Sequence, residues 1–168
     1  IAALRGSNAV ESLLNRSPDV AYDARDLAWI GCISRQTGTV ITWHSSDLKT
    51  LEDCRRREVV VGAEAPEANI ATLPNILNGL LGTKFRTVPG YNRQGLRSAM
   101  ESGEIDCICG LGYNSLLAAH ADWLDGNTLN FLAHTGVAPD HPMMPGVPST
   151  LAFAKNEDDR NVIRLMDY

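Results

Sequence analysis

The feature that most constrains this chain is an alternation of strand and helix patterns that runs from Val59 to Ala133. The apolar, β-branched run at 59–61 stops at Gly62, and a helical pattern over 67–81 follows and ends at Gly82, where a glycine C-cap fits. A strand at 85–88 then leads through Pro89-Gly90-Tyr91-Asn92 into a helix over 93–102, closed by Gly103. A strand at 105–109 leads through Gly110-Leu111-Gly112 into a helix over 114–124, and a strand at 128–133 completes the series. Strands alternating with helices of this length predict an α/β fold, a parallel or mixed sheet with helices on its faces.

The flanks are less regular. Residues 1–14 carry mixed helical periodicity, broken near Pro18, and 28–33 and 39–43 read as strands around the polar loop Ser34-Arg35-Gln36-Thr37-Gly38. Thr50 and Asp53 have the spacing of a capping box for a short helix ending near Arg57. The segment His141-Pro142-Met143-Met144-Pro145-Gly146-Val147-Pro148 holds three prolines, which bars regular structure and predicts a linker or crossover. Asn156 suits the N-cap of a last helix over 156–166, with acids in its first turn.

A length of 168 residues suffices for one large domain or two small lobes. The net charge of −5 and the lack of a broad basic face exclude a nucleic-acid partner, since phosphate binding needs clustered cations. The densest run, Arg55-Arg56-Arg57, fits a helix end. No apolar run reaches the ~20 residues of a membrane span. The chain starts at Ile1 without Met and ends inside a helical pattern, and so reads as an excerpt of a longer protein. Cys32, Cys54, Cys107 and Cys109 match no common zinc spacing, and buried thiols are expected. Cys107 and Cys109 fall on one face of a strand, and Cys32 and Cys54 can pair only if the fold brings them together.

In an open α/β sheet, ligands sit outside the carboxyl ends of the strands. That rule selects three loops, 62–66, 89–92 and 110–114, each leading into a helix start that suits a small polar or anionic ligand. The candidate ligand-binding residues are Ala63, Glu64 and Ala65 on the first, Tyr91, Asn92 and Arg93 on the second, and Gly112, Tyr113 and Asn114 on the third, with Arg35 and Gln36 on the earlier polar loop. Arg93 offers a two-point fork for a carboxylate. No nucleophile elbow, phosphate loop or H-E-x-x-H motif is present, and Gly110-Leu111-Gly112 lacks the third glycine of a dinucleotide fingerprint. No catalytic residue, cofactor or metal is assigned.

The order of several soft motifs is similar to that of tripartite tricarboxylate transporter substrate-binding receptors, the Bug-type extracytoplasmic solute receptors. These motifs are Trp29-Ile30-Gly31-Cys32-Ile33, Thr42-Trp43-His44-Ser45-Ser46, Leu48-Lys49-Thr50-Leu51-Glu52-Asp53 and Arg57-Glu58-Val59-Val60-Val61-Gly62-Ala63. They continue with Leu77-Asn78-Gly79-Leu80-Leu81-Gly82-Thr83-Lys84-Phe85, Ala99-Met100-Glu101-Ser102-Gly103-Glu104-Ile105-Asp106 and Met144-Pro145-Gly146-Val147-Pro148. The resemblance runs from about Trp29 to the C-terminus. It implies a two-lobed type 2 periplasmic-binding fold, with a carboxylate-bearing solute held between the lobes and passed to membrane transporter subunits, outside the cytoplasm and without chemistry. It also implies an incomplete pair of lobes: a partial first lobe and hinge in 1–57, the second lobe in 58–137, and a crossover back with a terminal helix in 138–168.

The first ligand loop departs from that family's pattern. Where such receptors carry glycine, serine and threonine, this chain has Ala63-Glu64-Ala65-Pro66-Glu67. Pro66 and Glu67 suit a first helical turn. Glu64 instead opposes an anionic solute by about 1 kcal/mol or more at partly buried range. The expectation is a solute with an amine for Glu64 and a carboxylate for Arg93. Two other readings share the fold: an effector-sensing domain of a transcriptional regulator, and an enzyme using Cys107, Cys109 or His44.

Overall fold

A computed structural model describes residues 22–31, 37–65, 69–138 and 140–164. The chain falls into two compact units, 1–35 with Tyr168, and 36–167. Within the first, Ala24–Asp26 forms one 3₁₀ turn, and the Asp23 carboxylate accepts from the Arg25 backbone N–H at 2.8 Å and pairs with its guanidinium at 2.6 Å. The strand expected at 28–33 does not form over its described part, 28–31, where Trp29 is 58% and Ile30 85% exposed. β-Propensity expresses itself on a pleated, half-buried surface, and this run has none among the described residues. The pattern at 1–14, Cys32 and residues 34–36 lie outside the described residues.

The second unit is built on a five-stranded mixed sheet: β1 (Gly38–Trp43), β2 (Val59–Ala63), β3 (Phe85–Pro89), β4 (Cys107–Gly112) and β5 (Leu129–His134), in the order β3-β2-β4-β1-β5. β2 pairs in parallel with β3 and β4, and β1 pairs antiparallel with β4 and β5. Thus β1, upstream of the regular alternation, lies inside the same sheet. The helices are α1 (Asn69–Leu81), α2 (Arg93–Ser102), α3 (Tyr113–Ala119), α4 (Ala121–Asp125) and α5 (Glu157–Arg164).

Side chains alternate across a strand, so the sheet separates two cores. Val40, Val59, Val61, Cys107 and Cys109 join Leu73, Leu77 and Leu81 of α1 and Leu48, Leu51 and Cys54 on one face. Ile41 and Ile108 join Leu96 and Met100 of α2, Leu116 of α3 and Trp123 of α4 on the other. The thiols of Cys54, Cys107 and Cys109 are free and buried as expected, and burial pushes all three up, Cys54 to about 12. Asn78 closes the end of α1: its side-chain oxygen accepts from Phe85 N–H at 2.9 Å and Thr83 Oγ1 at 2.8 Å, while its amide donates to the Phe85 carbonyl at 2.8 Å. Gly82 follows at φ +71°, in the left-handed conformation that a C-cap glycine takes at low cost.

The junction of β2 with β4 is narrow, with one registered pair, Val61 with Cys107. Asp106 reinforces it. Its N–H donates to the Val60 carbonyl at 2.9 Å, and its Oδ2 accepts from Val60 N–H at 2.8 Å. Its Oδ1 takes Arg57 Nη2 at 3.0 Å, and the same nitrogen reaches Asp47 at 2.8 Å.

Three elements of the second unit differ from the sequence expectation. Gly110–Gly112 is no loop: β4 continues to Gly112 because Gly38 and Thr39 of β1 pair with Gly112 and Leu111. The register shifts at Thr39/Val40, leaving Gly110 as the bulged residue at φ +94°, which glycine adopts readily. The short helix after Thr50 contracts to the 3₁₀ turn Asp53–Arg55, although the Thr50–Asp53 box forms, with Thr50 N–H to Asp53 Oδ2 at 2.9 Å and Asp53 N–H to Thr50 Oγ1 at 3.3 Å. The helix expected at 114–124 breaks at His120, which leaves helical geometry at φ −142°, ψ 38°. His120 is buried and stacked on Trp123, ring centroids 4.4 Å apart. Burying that ring sets the break.

Two predictions follow from these contacts. Asp106→Ala removes a charge-assisted acceptor and leaves Val60 N–H and Arg57 without it, so it costs about 2–3 kcal/mol. Thermal melts are expected to show a drop on the order of 5–10 °C. His120 is held below its ordinary pKa first by burial and then by the Arg97 charge, with a smaller push from Arg93 and an opposing pull from Asp122 and Glu101. A depressed folded-state pKa means the neutral ring's contribution is whole above about pH 6.5 and lost as pH falls through the folded value. Melting temperature is therefore expected to fall more steeply between pH 7.5 and 5 in the parent than in His120→Phe, which keeps the stack and cannot titrate.

Candidate functional site

Because β2, β3 and β4 are parallel, their carboxyl ends share one edge of the sheet. β1 runs the other way, so its first residue, Gly38, sits at this edge opposite Gly112, and β5 ends there at His134. The edge therefore gathers the segments after Ala63, Pro89 and Gly112, with residues near Thr37 and Thr135.

The segments are stitched together by backbone bonds. Gly90 N–H donates to the Glu64 carbonyl at 3.3 Å and Tyr91 N–H to the Ala63 carbonyl at 3.2 Å, so the first and second loops are immediate neighbours. Tyr113 N–H donates to the Thr37 carbonyl at 2.7 Å. Thr135 N–H donates to the Gly38 carbonyl at 2.8 Å, and Gly38 N–H donates to Thr135 Oγ1 at 3.0 Å. A Cβ on Gly38 would sit 2.8 Å from Thr135 Oγ1, so only glycine fits this approach.

The candidate residues occupy distinct positions on this rim. Ala63 is fully buried at the end of β2, Ala65 is half-buried and Glu64 is exposed. Asn92 caps α2, its Oδ1 accepting from Gly95 N–H at 2.7 Å, which fixes exposed Arg93 as the first helical residue. The Tyr91 hydroxyl donates to Glu104 Oε1 at 2.6 Å, and that bond to a carboxylate raises the phenol above its usual range. Gly112 precedes α3. Tyr113 is buried, which pushes its phenol up, and Asn114 is exposed. Arg35 and Gln36 lie outside the described residues, as do Pro66 and Glu67.

Glu64 is the acid and Arg93 the cation of the described loop residues 63–65, 89–94 and 112–115. Among the described residues, no ion pair or side-chain hydrogen bond engages either one. Sequence reasoning missed Thr37, Thr135 and His141. The His141 ring meets Tyr113 edge-on at 5.9 Å, and its Nδ1 accepts from Met143 N–H at 3.2 Å, which puts the proton of the neutral ring on Nε2. Nothing in a proline-rich stretch signals that contact.

Among the described residues no group of three or more His, Cys, Asp or Glu is placed to hold a metal. Two surface concavities lie away from the three loops. One of about 390 Å³, lined by Trp43, Arg57, Glu101 and Asp106, sits at the opposite edge of the sheet. The other, of about 570 Å³, lies beside β5 against Val147 and Phe153.

No family model matches the sequence, and no curated protein matches it. Solved structures do. A TctC solute-binding protein from Polaromonas superposes with a TM-score of 0.56 at 14% identity over 79% of this chain and 51% of that one. An R. palustris protein with adipate gives 0.59 at 12% over 89% and 56%. MatC from Rhodopseudomonas palustris with bound malate gives 0.59 at 16% over 88% and 50%. The fold is thus that of periplasmic-binding proteins, and the chain spans about half the length of these structures.

The Asn92 cap is testable by itself. Asn92→Ala is expected to lower stability by about 1 kcal/mol in denaturant titrations, and Asn92→Asp to retain most of it, since aspartate accepts the same N–H.

Proposed function

We propose that this chain belongs to an extracytoplasmic receptor of the tripartite tricarboxylate type, which captures a small carboxylate-bearing solute and delivers it to membrane transporter subunits. One observation carries this reading. The fold of solute-binding proteins is present, and at the carboxyl-end edge of its parallel strands an arginine stands exposed on a fixed helix start, with no ion-pair partner among the described residues.

Each part of the rim has a role in that reading. The α2 N-terminus presents N–H groups and a partial positive charge, and Arg93 adds a fork for a carboxylate. Asn114 adds an exposed amide at the start of α3. The backbone stitching of Ala63, Glu64, Gly90 and Tyr91 keeps the contact geometry set before the solute arrives, which lowers the ordering cost of binding. The likeness to structures that hold adipate and malate supports a carboxylate class for the solute. The reading requires no catalytic group and no cofactor.

A thermal-shift screen of the intact protein against mono-, di- and tricarboxylates tests this. A ligand that prefers the native state at 100 times its Kd stabilises it by about 2.7 kcal/mol, so a rise of several degrees is expected for one class. Arg93→Gln is expected to abolish most of that rise while leaving the unliganded melting temperature within about a degree or two, since exposed substitutions change stability little. A flat response across the whole panel would overturn the receptor reading.

A further inference from the structure

We propose that α4 is an acid-sensitive latch: a neutral His120 ring holds it against α2, and protonation of that ring frees the segment 120–128 locally while the sheet stays folded. The inference stands apart from the receptor reading, since it concerns the fold's own response to acid.

The latch is built on one stripe of α2. Arg93, Arg97 and Glu101 recur every fourth residue and so share a helix face. Arg97 pairs with Asp122 of α4, Nη1 to Oδ1 at 3.1 Å and Nη2 to Oδ2, and its Cζ lies 5.4 Å from the centre of the Trp123 ring. Glu101 Oε1 accepts from Trp123 Nε1 at 2.9 Å and pairs with Arg97 Nε at 3.0 Å. His120 stacks on Trp123 with the ring planes 18° apart. Trp43 of β1 meets Trp123 edge-on at 5.4 Å, and exposed His44 packs on Trp43 at 5.3 Å.

His120 is 7% exposed, and its Nδ1 has no hydrogen-bond partner among the described residues. A neutral ring tolerates this place by carrying its proton on Nε2. A protonated ring carries one on each nitrogen, which buries a donor without an acceptor. The new charge is opposed by Arg97 and, one turn along the stripe, by Arg93. Asp122 and Glu101 draw it the other way, and Arg97 already engages both. Cation–π attraction gives little relief, because Trp123 already holds Arg97 at its ring.

Opening one segment removes that cost without breaking the sheet. α4 has five residues, too few to persist as a helix without packing. Its backbone bonds are internal to the segment: Trp123 N–H to the His120 carbonyl at 3.0 Å, Gly126 N–H to Asp122 at 2.9 Å and Asn127 N–H to Leu124 at 3.1 Å. β4 and β5 are held to β1 by their own ladders. Such a segment opens as a local unit. The neutral ring's hold is whole above about pH 6.5 and is lost as pH falls through the folded value.

Hydrogen exchange of the intact protein between pH 7.5 and 5, corrected for the intrinsic pH dependence of each amide, tests the latch. The expected result is a loss of protection of about tenfold or more over 120–128, with 59–63 and 107–112 unchanged. In His120→Phe, which cannot take the proton, the loss is expected to shrink to about twofold or less. His120→Gln, which cannot titrate either, takes its place if the phenylalanine variant does not fold. Parent protein that keeps its protection over 120–128 down to pH 5 overturns the proposal. A loss that the non-titrating variant shares in full overturns it too, as does a loss that β2 and β4 show in step, which marks global unfolding.

Discussion

Asp106 is the joint on which the second unit turns. The sheet has two halves of different character, a parallel pair of β3 and β2 and an antiparallel trio of β4, β1 and β5, and one registered pair joins them. Asp106 supplies the rest of the bond. Its backbone donates to Val60, its carboxylate accepts from Val60, and Arg57, itself paired with Asp47, holds its other oxygen. A carboxylate accepting a backbone N–H and a guanidinium together is a stronger tie than a neutral ladder bond. It sits at the amino ends of β2 and β4, at the edge opposite the three loops. The chemistry-bearing rim is therefore placed by a joint at the far end of the same strands.

Packing around that sheet sorts polar groups by face. One face carries three thiols among aliphatic side chains, where burial keeps them protonated. Buried thiols of this kind act as small apolar residues, and they have no role in the rim. The other face ends in the aromatic group of Trp43, His120 and Trp123, with Arg97 5.4 Å over the Trp123 ring. His120 enters this group at the expense of helix continuity, and its Nδ1 finds no hydrogen-bond partner among the described residues. The neutral ring is the form that such a place accepts.

The rim itself is rigid where its backbone is bonded and open where its charges point. Asn92, Tyr91 and Gly112 shape it, whereas Glu64, Arg93 and Asn114 face solvent. The division matters for function. A receptor gains affinity when its framework is set in advance, and selectivity when its few charged groups match one solute and oppose others.

Much of this was legible in the chain alone. The strands expected at 59–61, 85–88 and 128–133, found as Val59–Ala63, Phe85–Pro89 and Leu129–His134, helix α2 with its Gly103 cap, and Asn156 as the acceptor for Asp159 N–H at 2.8 Å all follow from local pattern, because periodicity and capping act over a few residues. The mixed α/β class followed from their alternation. What the chain alone did not disclose depends on partners distant in sequence. Gly110-Leu111-Gly112 has the composition of a loop and becomes strand only because Gly38 and Thr39 lie beside it. His120 has the pattern of a solvated helix and is buried only because Trp123 receives it. Tyr91 and Asn92 look like ligand groups until Glu104 and Gly95 engage them. Sequence by itself determined the alternation of strand and helix from Val59 onward and the two loops after β2 and β3. Tertiary structure decided which side chains of those loops remain unengaged, since a hydrogen-bond partner many residues away satisfies a polar group as fully as a ligand would, and local sequence carries no record of it.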